Sequence, residues 1–209
     1  ASLGTLIEQG ETGLGPQLND DLDEDVLKKE VREIMNLDVY QEVMRDYIEK
    51  YVDKIGEDSR LARMEAAKAI GFMDPQAPLA DKLADFLEDE SPEVMRYAVQ
   101  SAASLKRRGD IPALIDKLRH PILREDVMDA LTKFGNRIVG SLADYLEYPD
   151  EDLEIRRAVA SVLAAIGTQE ASDFLSRALA GAQGELKDEI IDALDRLRTG
   201  NSAIRFPQE

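Results

Sequence analysis

The sequence predicts an all-α fold, a right-handed α-solenoid of about five stacked helix pairs with an extra N-terminal helix. Three observations predict it. Apolar residues recur at steps of three and four from about residue 23 to residue 198, and nothing alternates with period two over a useful length. Aromatics make up 5% of the chain and Trp is absent, so the apolar content is mainly Ala, Leu, Ile and Val, which suits close helix packing. The chain also repeats itself with a period near 30 residues.

In chain order, residues 1–22 read as a flexible acidic and Gly-rich arm. They hold Gly4, Gly10, Gly13, Gly15 and Pro16 and run into an acidic cluster, Asp20 to Asp25. Leu3, Leu6 and Ile7 offer a docking peptide as the alternative. The stretch GETGLG is no phosphate loop, because no Lys-Ser/Thr follows and no strand precedes it. The opening ASLGT, without an initiator Met, reads as a piece of a longer protein. A lone helix near 23–36 caps the array. Val39, Val43, Met44, Tyr47, Ile48, Tyr51, Val52 and Ile55 then lie on one face of a long helix, with Gly56 as its C-cap.

Four leucine pairs at i and i+4 follow: Leu83/Leu87, Leu114/Leu118, Leu142/Leu146 and Leu175/Leu179. Their second members stand 31, 28 and 33 residues apart. After each pair comes a short polar turn and then a second helix opened by a basic residue. Those residues are Arg63, Arg96, Arg124, Arg157 and Lys187, at steps of 33, 28, 33 and 30. Three places on stand Ala66, Val99, Val127, Ala160 and Ile190; six places on, Ala69, Ala102, Ala130, Leu163 and Ala193. The small residues let neighbouring helices approach closely, and the leucines fill the layers between them. The expected pairs are 39–71, 76–105, 110–134, 136–166 and 168–198, within an array spanning 23–198, and 199–209 is left as a C-terminal tail.

Composition removes several functional classes. The net charge of −17, from 43 acidic and 26 basic residues, repels phosphate backbones and anionic headgroups. The densest basic patch, Lys106–Asp110, reads as a helix C-terminus complementing its own dipole. No apolar run approaches the ~20 residues of a membrane span. Without Cys there is neither a disulfide framework nor a thiolate ligand or nucleophile, which fits a reducing, cytoplasmic setting.

The only histidine, His120, stands in the turn after Leu114/Leu118, with Pro121 expected in the first turn of the next helix. It lacks the nucleophile and orienting group that catalysis needs, so it reads as punctuation. The acids of Asp150–Ile155 and Glu88–Glu93 read as caps, with Ser91-Pro92-Glu93 as N-cap, N1 proline and early acid. No loop has calcium-binding spacing. Gly71, Gly135 and Gly167 read as C-caps. Arg63, Arg96, Arg124 and Arg157 are expected to form a structural ladder with turn acids such as Asp58, Asp89 and Asp152. An anion-binding row is the alternative.

The text IPALIDKLRHPILREDVMDALTKFG and DLEIRRAVASVLAAIGTQEASDFLSRAL resembles HEAT repeats, particularly the short phycobilisome-lyase HEAT-like kind, with coverage from about residue 59 to 198. One histidine cannot supply the paired His-Glu iron sites of the HEAT-fold hydroxylase. The end, EIIDALDRLRTGNSAIRFPQE, is similar to the point where HEAT arrays leave off in the cytoplasmic segments of certain bacterial transporter-like membrane proteins. The resemblance implies concave second helices, with Lys68, Met95, Tyr97, Gln100 and Arg156 displayed to a partner. The expected function is a non-catalytic protein-binding or regulatory module, without cofactor or metal. Its partner carries a basic surface, and self-association is open to it. The alternative is a bilin-lyase-like subunit holding a tetrapyrrole in the concavity.

Overall fold

The computed structural model describes residues 24–51 and 56–206. The expected arm over 1–22, with Leu3, Leu6 and Ile7, lies outside the described residues, as do Val52 and Ile55. Among the described residues every regular element is helical: α1 (Glu24–Met35), α2 (Asp38–Tyr51), α3 (Glu57–Ile70), α4 (Leu83–Leu87), α5 (Pro92–Leu105), α6 (Ile111–Lys117), α7 (Arg124–Phe134), α8 (Val139–Glu147), α9 (Leu153–Ile166), α10 (Gln169–Leu179) and α11 (Gly184–Gly200). Short 3₁₀ turns lead into α4, α6 and α8. The fold is an α-solenoid of five helix pairs preceded by a single helix.

The helix ends follow from capping chemistry. Asp152 accepts the Glu154 backbone N–H at 2.8 Å, and Thr168 Oγ1 accepts that of Ala171 at 3.3 Å, each satisfying an orphan donor. Gly167 closes α9 in the left-handed conformation at φ 71°. Ser91 is the N-cap of α5, with Pro92 in its first turn, but its hydroxyl turns to the Glu93 carboxylate at 2.9 Å instead of to a backbone N–H. Two expectations are corrected. Gly56 precedes α3 as its N-cap at φ 108°. Pro121 stands in a turn, and α7 begins only at Arg124.

The backbone divides into two compact units, up to Arg107 and from Arg108 onward. In the first, α2 packs on α3, and α5 packs on both α3 and α4. In the second, α7 and α8 pack on α9, α8 on α10, and α9 and α10 on α11. Within each unit a second helix covers its own first helix, and α3 packs on α5, α7 on α9 and α9 on α11, because no pair alone has enough apolar surface to close a core.

The core is built from the repeating positions. Seven of the eight paired leucines are buried, Leu179 being the half-exposed one. Ala66, Val99, Val127, Ala160 and Ile190 are fully enclosed, and Ala69, Ala102, Ala130, Leu163 and Ala193 are at most 2% exposed. Burying a leucine is worth about 1.5–3 kcal/mol. Gly71 shows how closely α3 and α5 approach. A Cβ there would lie 2.7 Å from Ser101 Oγ, which itself donates to the Ala67 carbonyl at 2.7 Å. Gly71 has ordinary helical φ, so the glycine is required by space and not by a left-handed cap.

The apolar face of α2 is narrower than its periodicity implies. Met44 and Ile48 are buried, but Val39 and Val43 are exposed. Among the described residues the helix packs chiefly on α1 and α3, which cover one strip of it. Beyond residue 198 the chain continues helically to Gly200. Ile204 is then buried, and Arg205 N–H donates to Gln169 Oε1 at 2.8 Å, while residues 207–209 lie outside the described residues.

Candidate protein-interaction surfaces

The recurring arginines stitch consecutive helix pairs. Arg63, 2% exposed, meets Asp89 in a forked pair, Nε to Oδ2 at 2.7 Å and Nη2 to Oδ1 at 3.2 Å. Its Nη1 donates to Ser59 Oγ at 2.7 Å. Asp89 also accepts the Ser91 N–H at 2.9 Å, so the pair ties α3 to the turn entering α5. Arg124 reaches Glu154 at 2.8 Å, and Arg157 reaches Glu185 at 2.9 Å, each in the following helix pair. Arg96 is engaged within the fold and half-buried. Asp152 is occupied as an N-cap and is not the ladder acid expected of it.

A second arginine function was not foreseen. Arg124 Nε donates to the Leu118 carbonyl at 2.9 Å, and Arg156 Nε donates to the Leu146 carbonyl at 2.9 Å. Both close the last turn of the preceding first helix, whose final carbonyls lack intrahelical donors. Arg124 does two jobs that the next helix pair divides between adjacent residues, Arg156 for the carbonyl and Arg157 for the acid.

That finding corrects part of the expected partner surface. Arg156 is half-buried and held by Leu146. Met95 is 6% exposed and belongs to the core. On α5 Tyr97 is half-buried and Gln100 exposed, and on the adjacent α3 Lys68 is exposed. The displayed apolar surface lies elsewhere. Ile34 of α1, Leu37 of the connecting turn, and Val39, Tyr40 and Val43 of α2 are 45–61% exposed. Val39 and Val43 are one turn apart on one face of α2, with Tyr40 beside them. Asp38, Glu42, Asp46 and Glu49 are exposed on the same helix, against the exposed Arg45 and Lys50.

Residues 111–195 match the family model described as HEAT repeats. That stretch is an array of HEAT repeats. Its limits fall at the first residue of α6 and within α11, so the match covers the helix pairs of the second unit. No curated protein sequence matches the chain. Among solved structures, the complex of CpcE and CpcF of phycocyanin lyase from Nostoc sp. PCC7120 is similar at 18% identity and a TM-score of 0.39, over 88% of this chain and 96% of that one. So loose a likeness carries no functional reading.

Within the HEAT repeats, His120 is half-buried in the turn between α6 and α7. Its N–H donates to the Lys117 carbonyl at 3.0 Å, and its carbonyl accepts from Leu123 N–H at 3.1 Å. Both bonds are turn bonds. No group of three or more His, Asp or Glu among the described residues could hold a metal ion, and no described helix is long and apolar enough to cross a membrane. Sequence reasoning missed Glu154 and Glu185 as ladder acids. Glu154 also pairs with Arg157 three residues on in the same helix, a spacing that foretells that pair but not the one to Arg124. It also missed the display of Ile34 to Val43, because periodicity marks an apolar face without saying whether a neighbour covers it.

Proposed function

We propose that the chain is a non-catalytic protein-interaction module of the cytoplasm that docks a segment of basic character through α1 and α2. The observation carrying this reading is the exposed apolar strip of Leu37, Val39, Tyr40 and Val43. An apolar patch left in water at a rim of polar side chains is a mark of an interaction site. The acids beside it and the net charge of −17 favour a partner rich in Lys and Arg, both in steering and in register. α3, packed on α2, and α5, packed on α3, supply a stiff support behind the strip. Self-association through the same strip is the competing reading, since a second copy also offers apolar surface.

Affinity capture from a cell extract, using the wild-type chain and a Val39→Asp/Val43→Asp variant as baits at low and moderate salt, tests the proposal. The expected result is a basic protein retained by the wild type at low salt and lost by the variant. Equal retention by both baits sinks the strip as the docking site. A dimer in sedimentation that the variant abolishes assigns the strip to self-association instead.

A further inference from the structure

The second unit contains a groove of about 250 Å³ between the start of α6 and the start of α8. Its polar lining is Arg108, Arg137, Ser141, Asp144 and Tyr145, over a floor that includes the buried Ile111. None of these five polar side chains has a hydrogen bond or ion pair among the described residues. In a chain with 43 acidic residues, most arginines of this unit are engaged by a carboxylate. Arg119, Arg124, Arg157 and Arg177, in the same unit, each hold a carboxylate at 4.0 Å or less. Arg107, next to Arg108 in sequence, pairs with Asp81. Arg108 and Arg137 are left facing one concavity with two hydroxyls and one acid.

We infer that this groove is an anchor site for a single carboxylate side chain carried by a partner protein. Three features select that ligand. Two guanidiniums against the Asp144 carboxylate leave a formal charge of one, which one carboxylate neutralises and a phosphate dianion over-fills. Guanidinium forks match the carboxylate plane, while the hydroxyls of Ser141 and Tyr145 can complete its shell and Asp144 can accept from an adjacent backbone N–H of the ligand. The groove is also open and smaller than the roughly 300–1,000 Å³ typical of sites that enclose a free small molecule. The anchor therefore rides on a larger partner whose affinity comes from other contacts. The inference rests on the interaction-module reading and deepens it: a mostly basic segment is placed in register by one acidic residue, which the surrounding negative field rejects everywhere else.

The test observes the arginine Nε–Hε signals of the full chain by heteronuclear NMR, assigned with Arg108→Gln and Arg137→Gln. The probe is N-acetylglutamate amide, with N-acetylglutamine amide as the neutral counterpart and inorganic phosphate as the competing anion. The expected result is that the Arg108 and Arg137 signals move together along one isotherm while those of Arg119 and Arg177 stay still. The glutamine probe binds about tenfold more weakly or not at all, as loss of a charge-assisted bond requires. Either single variant removes the response of the remaining arginine, and its thermal unfolding stays at the wild-type midpoint. Equal shifts at all exposed arginines, or none at Arg108 and Arg137, overturn the site. Phosphate displacing the glutamate probe at lower concentration overturns the carboxylate assignment. The probe needs no basic partner, so this failure and a failure of the docking strip are told apart.

Discussion

Arg63 carries a full charge at 2% exposure, and it is sustained there by both oxygens of Asp89 and the hydroxyl of Ser59. Removing one member of such a pair strands the other in a medium that cannot solvate it. Asp89→Ala is therefore expected to lose about 3–5 kcal/mol in urea unfolding. Arg157→Gln breaks a pair whose side chains are 35% and 69% exposed, and it should cost under about 1 kcal/mol. Equal losses from the two changes would refute the burial argument. Gly71→Ala forces a methyl group against Ser101 and should cost about 1–3 kcal/mol, part of it recovered when Ser101→Gly is added. Much of this was legible: the spacing marked Arg63 and the turn acids included Asp89. Arg156 was not legible, because a carbonyl with a free lone pair leaves no trace in side-chain identity. Met95 misled because a long, flexible apolar side chain fits core and surface alike.

The helices owe their positions to small and large residues alternating at fixed steps. The leucine pairs and the enclosed alanines behind Arg63, Arg96, Arg124 and Arg157 predicted the five helix pairs, with the α-helix of the second pair beginning at Leu83 after a 3₁₀ turn and not at 76, since a 30-residue period leaves few other ways to bury both helices. Leu114→Ala, at a fully buried site, should lose about 2–5 kcal/mol by chemical denaturation. Val39→Asp/Val43→Asp, on exposed positions of α2, should unfold within about 0.5 kcal/mol of the wild type while losing the partner. A large stability loss there would mean that the strip is core after all. The strip itself could not be read from sequence. A helix of apolar period looks the same whatever covers it, and only the exposure of Val39, Tyr40 and Val43 shows which side of α2 is left open among the described residues.

For the molecule as a whole, charge decides more than shape. A surplus of 17 negative charges acts over about a Debye length, roughly 10 Å at 0.1 M salt, and draws basic segments toward any apolar surface able to hold them. Within each unit the packed helix pairs provide rigid support, and their core carries no information about the partner. This is why the sequence yields the fold readily and the function only as a class: the fold is repeated five times along the chain, whereas each binding feature occurs once. The central claim is tested most directly by measuring the dissociation constant of the captured basic partner against salt concentration for the wild-type chain. Affinity that falls steadily as salt rises, with the remaining binding abolished by Val39→Asp/Val43→Asp, is the predicted result. Affinity indifferent to salt would contradict a charge-steered docking module.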